Sequence, residues 1–415
     1  MKQYGCIGKK LTHSFSKEIH AKLADYNYEL IELTEEEIAP FFAKRGFAAI
    51  NVTIPYKQTV IPYLDSISPI AQRIGAVNTI VNKDGKLYGY NTDYYGMKAL
   101  VERVGIDLNG RKVLIFGTGG TSKTARVLAA DLGATEVLTV SRKKAEAYIT
   151  YDEAVSDHCD AQLIINTTPS GMYPNCEDRP IDISCFPRLE GLIDAVYNPL
   201  RTNLVLDAQE RGIKAEGGLY MLVMQAVVAV EHFLDTAIPK ETADRVFAAI
   251  YGSKENIVLT GMPGSGKSTV GKLLELEGFS FIDTDEEIEK RCGCSIRDLI
   301  EEKGEPYFRD LETEVIREVS SNSCRIISTG GGANLREENV RCLKRNGRLY
   351  FLNAELSRLQ ATGSRPLSDT DEKLKRLYAE RMLIYQNSAD VVVPDLAEPQ
   401  EEANYITKKR KDLIL

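Results

Sequence analysis

The run Gly261-Met262-Pro263-Gly264-Ser265-Gly266-Lys267-Ser268-Thr269 restricts this chain more than any other segment. It follows Ile257-Val258-Leu259-Thr260, which has strand character, and opens Val270-Gly271-Lys272-Leu273-Leu274, which reads as helix. A glycine-rich loop between strand and helix turns backbone N–H groups toward one point at a helix N-terminus, where anions bind. The GxxxxGKS spacing adds a lysine for the β- and γ-phosphates and a hydroxyl for Mg2+. Gly261, Gly264, Ser265, Gly266, Lys267, Ser268 and Thr269 are therefore expected to bind ATP, with Ser268 also on the metal. Such a loop belongs in a P-loop domain, a parallel sheet flanked by helices, expected over residues 256–415.

The chain ahead of that loop has a different α/β order. At 415 residues it exceeds a typical single core and suggests two or three domains. Residues 1–105 alternate strand-like stretches, at 28–33 and 48–54, with helical ones. Thr34-Glu35-Glu36-Glu37 has the form of a capping box, and Asp84-Gly85 between apolar runs reads as a hairpin turn. Residues 106–217 alternate strand and helix in the doubly wound manner, with strands at 112–116, 136–140, 162–166 and 192–196. Helices over 218–250 are expected to pack back onto the first block, and residues 251–255 read as a short polar linker. The expected architecture is α/β throughout: a first lobe (1–105, completed by 218–250), a Rossmann-like lobe (106–217), and the P-loop domain.

Composition narrows the partners. A net charge of -8 offers no field for nucleic acid or an anionic membrane. The N-terminus enters a strand without a signal-peptide core, and the longest apolar run, around 220–230, contains Gln225 and falls short of a span. The eight cysteines form no CxxC pair, and with four histidines a zinc site is not expected. A reducing cytoplasm and small-molecule ligands fit. The basic run Lys408-Lys409-Arg410-Lys411 suits the C-terminus of a final helix.

A second glycine-rich turn, Gly117-Thr118-Gly119-Gly120-Thr121-Ser122, follows the strand at 112–116. Its glycines suit a dinucleotide pyrophosphate, though a plain α/β turn uses the same spacing. The next strand ends in Ser141-Arg142-Lys143-Lys144 where an NAD site usually has Asp or Glu. Arg142 suits an adenine face and a 2′-phosphate, with Lys143 adding charge. The rival reading is a solvated basic turn at a helix start, which the helix dipole disfavours.

Leu11-Thr12-His13-Ser14-Phe15-Ser16, Asn51-Val52-Thr53-Ile54-Pro55-Tyr56-Lys57, Gly75-Ala76-Val77-Asn78-Thr79 and Asn91-Thr92-Asp93 together resemble shikimate dehydrogenase. Ile165-Asn166-Thr167-Thr168-Pro169-Ser170-Gly171-Met172, Asp194-Ala195-Val196-Tyr197 and Gly218-Leu219-Tyr220-Met221-Leu222-Val223-Met224-Gln225 extend the resemblance over roughly residues 1–250. Two departures are the Gly117-Thr118-Gly119-Gly120-Thr121 turn, where the family usually has GAGGA, and Ser141 in place of the usual Asn. The resemblance implies reduction of 3-dehydroshikimate to shikimate with NADPH. Ser14 and Ser16 would bond the substrate carboxylate, and Asn51, Thr53, Asn78, Tyr197 and Gln225 would line the substrate site. Lys57 and Asp93 would be the catalytic pair; Gly117, Gly119, Gly120, Ser141, Arg142, Lys143, Thr167, Gly218 and Met221 would hold NADP(H). The chemistry agrees, because a ketone that accepts hydride needs a proton, which an ammonium oriented by a carboxylate supplies. Asp93 also suits a helix N-cap, and His13 reads as structural.

Around the first loop, Asp283-Thr284-Asp285, Phe308-Arg309-Asp310, Ser328-Thr329-Gly330-Gly331-Gly332, Arg365-Pro366-Leu367 and Arg381 followed by Leu383-Ile384-Tyr385 resemble shikimate kinase over about 255–395. The resemblance implies phosphate transfer from ATP to the 3-hydroxyl of shikimate. Asp285 would accept the hydroxyl proton, Asp283 would support Mg2+, and Arg309 and Arg381 would fork the acceptor carboxylate. Gly330 and Gly331 would offer amides, and Arg365 would neutralise the transferring group. Arg309 could instead pair with Glu305 or Glu312 on its own helix, and 330–332 could be a plain turn. The segment 359–365 makes a lid shorter than usual without its adenine-stacking arginine, for which Arg358 or Arg376 would have to substitute; weaker ATP affinity is expected. The whole reads as a bifunctional enzyme using NADP(H), ATP and Mg2+. The alternative is an NAD-preferring quinate/shikimate dehydrogenase joined to a kinase-like domain that only binds ligand and regulates.

Overall fold

The computed structural model describes residues 3–11, 15–274, 278–359 and 370–414. Three sheets fall into two units, Met1–Ile250 and Tyr251–Leu415. In the first unit β1 (Gln3–Gly8), β2 (Tyr28–Glu32), β3 (Phe47–Val52), β4 (Ser66–Ile67), β5 (Thr79–Lys83) and β6 (Lys86–Tyr90) form a mixed sheet in the order β2-β1-β3-β5-β6-β4. β1 runs parallel to β2 and β3, whereas β5 is antiparallel to β3 and β6. The β5–β6 hairpin turns through Asp84 (φ 52) and Gly85 (φ 82), the two positive values a type I′ turn requires. The capping box forms, with the Glu37 carboxylate accepting from the Thr34 N–H at 2.8 Å. What matters for function is the β3–β5 register: it sets Asn51 opposite Thr79, gathering two motifs that are remote in sequence.

The second sheet is parallel throughout: β7 (Lys112–Phe116), β8 (Glu136–Val140), β9 (Leu163–Asn166), β10 (Gly191–Asp194) and β11 (Lys214–Glu216), in the order β11-β10-β9-β7-β8. Strand order reverses between β8 and β9 on either side of β7, so a crevice opens at their C-terminal ends, beside Gly117 and Thr167. The sequence reading did not include β11, whose Lys-Ala-Glu content carries no apolar run.

Helix Leu219–Leu234 packs on helices Asp93–Val104 and Ser16–Leu23. Gly96 sits at the first of these crossings, where a Cβ would lie 2.5 Å from the Met221 carbonyl oxygen. Gly96→Ala is expected to destabilise this unit by about 1–3 kcal/mol, the usual range for overpacking. A melting temperature equal to that of the unaltered protein would contradict the close approach.

In the second unit β12 (Asn256–Thr260), β13 (Ser280–Asp283), β14 (Arg325–Ser328), β15 (Gly347–Leu352) and β16 (Val391–Val393) form a parallel sheet in the order β13-β14-β12-β15-β16. The glycine-rich loop leaves the central strand, β12, and enters helix Lys267–Leu273. Residues 251–255 are not a polar linker. Helix Lys240–Lys254 runs through most of them, and Glu255, 1% exposed, pairs with Arg348 at 2.9 Å and lies 3.6 Å from Arg410. The sequence shows their charges but not the distant partners that draw one of them inside. Arg410, on helix Pro399–Ile414, likewise serves that buried cluster rather than only the helix end. Among the described residues no helix is long and apolar enough to cross a membrane.

Candidate active sites

In the first unit Lys57 Nζ donates to Asp93 Oδ2 at 2.6 Å, and the two side chains are only 14% and 9% exposed. Asp93 is the first residue of helix Asp93–Val104, but the N-cap is Thr92, so the capping expectation for Asp93 is overturned. Its second oxygen accepts from Asn78 Nδ2 at 2.8 Å instead.

Asn78 is the hub of this network. Its Oδ1 accepts from the Thr92 N–H at 2.7 Å and from Thr79 Oγ1 at 3.1 Å. Asn51 donates to Thr79 Oγ1 at 3.1 Å and accepts from the Tyr28 hydroxyl at 2.7 Å. Gln225 Oε1 accepts from Thr92 Oγ1 at 3.4 Å. Lys57, Asp93, Asn51, Asn78 and Gln225 thus meet in one network, joined by Thr79 and Thr92. Thr53 follows β3 with its N–H on the Ile7 carbonyl, and Tyr197 lies against Phe15 with ring centroids 5.2 Å apart. Ser16 begins helix Ser16–Leu23; Ser14 and His13 lie outside the described residues.

The dinucleotide-type turn abuts this network. A Cβ on Gly120, the first residue of helix Gly120–Asp131, would lie 3.6 Å from Lys57 Cδ. Gly117 has φ +104, and a Cβ there would sit 2.9 Å from Thr167 Oγ1, which donates to the Phe116 carbonyl at 2.6 Å. A Cβ on Gly119 would meet no described atom within 4 Å, so this loop has room for a bulky anion. Ser141 Oγ accepts from the Lys143 N–H at 3.2 Å; Arg142 and Lys143 are exposed and form no ion pair among the described residues. The helix expected at Arg142 begins only at Tyr151, because Thr150 and Glu153 make the capping box there. The dipole argument for a phosphate at Arg142 therefore falls, and the argument from an unpaired, exposed guanidinium remains. Gly218 caps helix Leu219–Leu234, where a Cβ would collide with the Ala195 carbonyl, and Met221 is buried one turn in. Behind the turn Asp194, fully buried and pushed up to about 7 by that burial, accepts from Thr202, Val196 and Asn166. Asn166 in turn holds Thr168.

In the second unit a cavity of about 440 Å3 is lined by the glycine-rich loop, Asp283, Asp285, Arg309, residues 330–332 and Arg381. Lys267 Nζ donates to the carbonyls of Gly261 and Met262 at 3.0 and 2.9 Å. Gly266 adopts φ +86 to cap its helix, and the buried Ser265 hydroxyl lacks a partner among the described residues. Ser268 Oγ donates to Asp283 Oδ2 at 2.6 Å, a hydroxyl–carboxylate pair of the kind a hard cation bridges. Asp285 Oδ1 and Glu312 Oε1 are sealed from solvent without hydrogen-bond partners among the described residues. Both flank Gly330, whose Cβ would stand 2.6 and 2.7 Å from them. Burial, then the charges of Asp283 and Glu312, push the Asp285 carboxyl up to about 7. The Gly331 carbonyl accepts from Arg381 at 2.9 Å and from the Tyr385 hydroxyl.

Arg309 pairs on its own helix with both Glu312, at 2.8 Å, and Glu305, at 3.1 Å, yet it also faces the cavity. Arg358 is tied to Asp395 and to the Leu396 and Ala397 carbonyls, and Arg376 to Glu380 at 2.7 Å, so neither is idle. Arg365 and the lid residues 360–369 lie outside the described residues.

A shikimate dehydrogenase (NADP(+)) of Clostridium perfringens strain SM101 is 38% identical over 265 residues, 60% of this chain and 97% of its own length. The chain belongs to the shikimate dehydrogenase family. Its resemblance to solved members is similar in extent. Shikimate dehydrogenase 1 of Peptoclostridium difficile is 36% identical with a TM-score of 0.56, over 60% of this chain and 98% of that one. The Thermus thermophilus shikimate 5-dehydrogenase, solved with NADP(H) and shikimate, is 28% identical with a TM-score of 0.53, over 59% and 100%. The family model for the shikimate dehydrogenase substrate binding domain matches residues 6–80, and the shikimate kinase model matches residues 263–411. The protein is thus a shikimate dehydrogenase fused to a shikimate kinase domain.

Within the dehydrogenase part, Thr79 and Thr92 were the residues the sequence reading left without a role. Threonine in a strand start reads as a β-former, and only the register reveals the shared hydroxyls. In the kinase domain the sequence offers Glu312 only as a pairing alternative for Arg309; its burial, at 0% exposed, and its place beside Gly330 come from the packing. The (i, i+3) spacing from Arg309 was the one signal available for it.

Proposed function

We propose that this chain reduces 3-dehydroshikimate to shikimate with NADPH and then phosphorylates the shikimate 3-hydroxyl with Mg-ATP. One observation carries the reading: each unit sets a proton-transferring group against its own cofactor loop, Lys57 beside Gly120 and Asp285 in one cavity with Lys267. Lys57 polarises the ketone and protonates the alkoxide, while Asp93, held by Asn78, keeps the ammonium aimed. Ser14 and Ser16 take the substrate carboxylate, and Asn51, Thr53, Tyr197 and Gln225 surround the ring. NADP(H), held by Gly117, Gly119, Gly120, Ser141, Arg142, Lys143, Thr167, Gly218 and Met221, supplies the hydride.

In the kinase domain the loop amides and Lys267 hold the ATP phosphates, and Ser268 and Asp283 hold Mg2+, which offsets phosphate charge. Asp285 takes the proton of the acceptor hydroxyl, while Arg309, Arg381, Gly330 and Gly331 fix the acceptor. Arg365 neutralises charge on the transferring group. None of the eight cysteines is in a disulfide, which suits a reducing cytoplasm.

Purified protein given 3-dehydroshikimate, NADPH and Mg-ATP should yield shikimate 3-phosphate by mass spectrometry, with shikimate alone when ATP is withheld. Absence of either product would refute the corresponding half. The cofactor choice has its own test. Arg142→Ala should raise KM for NADPH about 10- to 100-fold, as expected for losing charge-assisted hydrogen bonds to a phosphate. KM for NADH should barely change; an equal change in both would exclude Arg142 from the 2′-phosphate.

A further inference from the structure

We propose that Glu305 is a displaceable carboxylate that occupies Arg309 until the acceptor arrives, and so limits how tightly the kinase domain takes a carboxylate-bearing acceptor. The proposal rests on the kinase reading above. Helix Glu305–Ser320 carries Glu305 as its first residue, Arg309 one turn later and Glu312 three residues beyond that. The guanidinium serves two carboxylates unequally. Glu312 Oε2 takes Nη1 at 2.8 Å from a fully buried side chain, a short charge-assisted bond. Glu305 offers a single oxygen, Oε1, shared between Nε at 3.2 Å and Nη2 at 3.1 Å, from a side chain 45% exposed.

The Nε–Nη2 edge, like the Nη1–Nη2 end, presents two parallel N–H groups, the geometry a carboxylate matches with both oxygens, and Glu312 already holds Nη1 of the other pair. Glu305 uses it with one. An exposed (i, i+4) pair of this kind contributes little, so a carboxylate engaging both donors inside the cavity displaces it. Arg309 does not need to swing for this exchange. A Cβ on Gly332 would collide with Nη1, Nη2 and Cζ, so the guanidinium lies flush on that glycine and Glu312 anchors its far side. What moves is Glu305.

The direction of the effect follows from charge. Around the cavity, Asp283, Asp285, Glu286, Glu289 and Glu312 face Lys267, Arg309 and Arg381, so an anionic acceptor already meets more acids than bases. Glu305 is not among the lining residues, but its charge, held on Arg309, adds to that excess and occupies the Nε–Nη2 edge. Glu312 alone still pairs Arg309, so removing Glu305 leaves no bare cation. Neutralising Glu305 therefore tightens acceptor binding.

The test uses the full-length protein and its Glu305→Gln and Glu305→Asp variants at saturating Mg-ATP, with shikimate and its methyl ester as acceptors. Glu305→Gln should lower KM for shikimate about 3- to 10-fold and leave KM for Mg-ATP and for the ester unchanged. Glu305→Asp, charged but too short to serve both nitrogens, should fall between. A role in merely supporting Arg309 predicts the reverse, a raised KM for shikimate in Glu305→Gln. That result, an unchanged KM, or an equal shift for the ester would each overturn the proposal. Shikimate turnover absent from the unaltered protein would instead refute the kinase reading, and this inference with it. Dehydrogenase turnover in the same samples reports that the variants are folded.

Discussion

Lys57→Met should all but silence reduction of 3-dehydroshikimate and leave phosphorylation of shikimate by the same chain intact. Methionine keeps the length and apolar stem of lysine but removes the ammonium, so the alkoxide has no proton donor on the enzyme. Loss of a positioned general acid costs about 10²–10⁴-fold. A second loss accompanies it. The Lys57–Asp93 pair is almost withdrawn from water, and deleting one partner leaves the Asp93 carboxylate with Asn78 alone. Breaking a buried pair typically destabilises by about 3–5 kcal/mol, so the melting temperature of the first unit should also fall. The two effects separate in Lys57→Met/Asp93→Asn. Removing the stranded charge should restore much of the stability while reduction stays silent. Steady-state rates with NADPH, alongside thermal melts, read both. Reduction within tenfold of the unaltered protein would exclude Lys57 as the proton donor.

The contrast between what the sequence exposed and what it hid has a physical basis. Lys267 stood out because the spacing of its loop is set by neighbours in sequence, whereas Lys57, Asp93 and Asp285 were legible only through short motifs that resemble the two families. Thr79 did not stand out, since its meaning depends on β3 pairing with β5, a contact between remote segments, and Thr92 did not, since its hydroxyl meets Asn78, Thr79 and Gln225 only in the fold. The burial of Glu255 and Glu312 was hidden for a different reason. A charged residue reads as solvated unless a partner is known, and the partners of Glu255 are Arg348 and Arg410, far along the chain. Helix starts were legible where a capping residue acts alone and misplaced where two candidates compete, as at Asp93 against Thr92 and at Arg142 against Thr150. The strands read at 28–33, 48–54, 112–116, 136–140, 162–166 and 192–196 end within two residues of the observed ones, while the six-residue β15 was not assigned. The three-residue β11 was not seen at all.

Asp285→Asn should silence phosphate transfer and, in the same stroke, make the ligand-free kinase domain more stable. An amide cannot take the acceptor proton, so turnover should drop by about 10²–10⁴-fold while NADPH-dependent reduction continues. The stability gain follows from the raised carboxyl. Burial and the nearby charges of Asp283 and Glu312 move Asp285 from 3.8 up to about 7 in the folded state. Between those values the native chain holds a proton that the unfolded chain has released, so stability falls as pH rises through that window. Above about 7 the carboxylate is ionised in both states and its full cost, of the order of 2–4 kcal/mol, is present. Asparagine is neutral at every pH and escapes it. The variant should therefore melt above the unaltered protein at pH 8, with the difference shrinking toward nothing as pH approaches 4. The same ionisation should make kcat/KM for shikimate in the unaltered kinase fall as pH drops below about 7, because the base is then protonated. A melting difference of equal size at pH 5 and pH 8 would show that Asp285 is not strained as an anion in the empty cavity. Near-normal phosphate transfer by the variant would remove Asp285 from the chemistry altogether, and the unpartnered Glu312 oxygen across Gly330 would then be the remaining carboxylate placed to accept the proton.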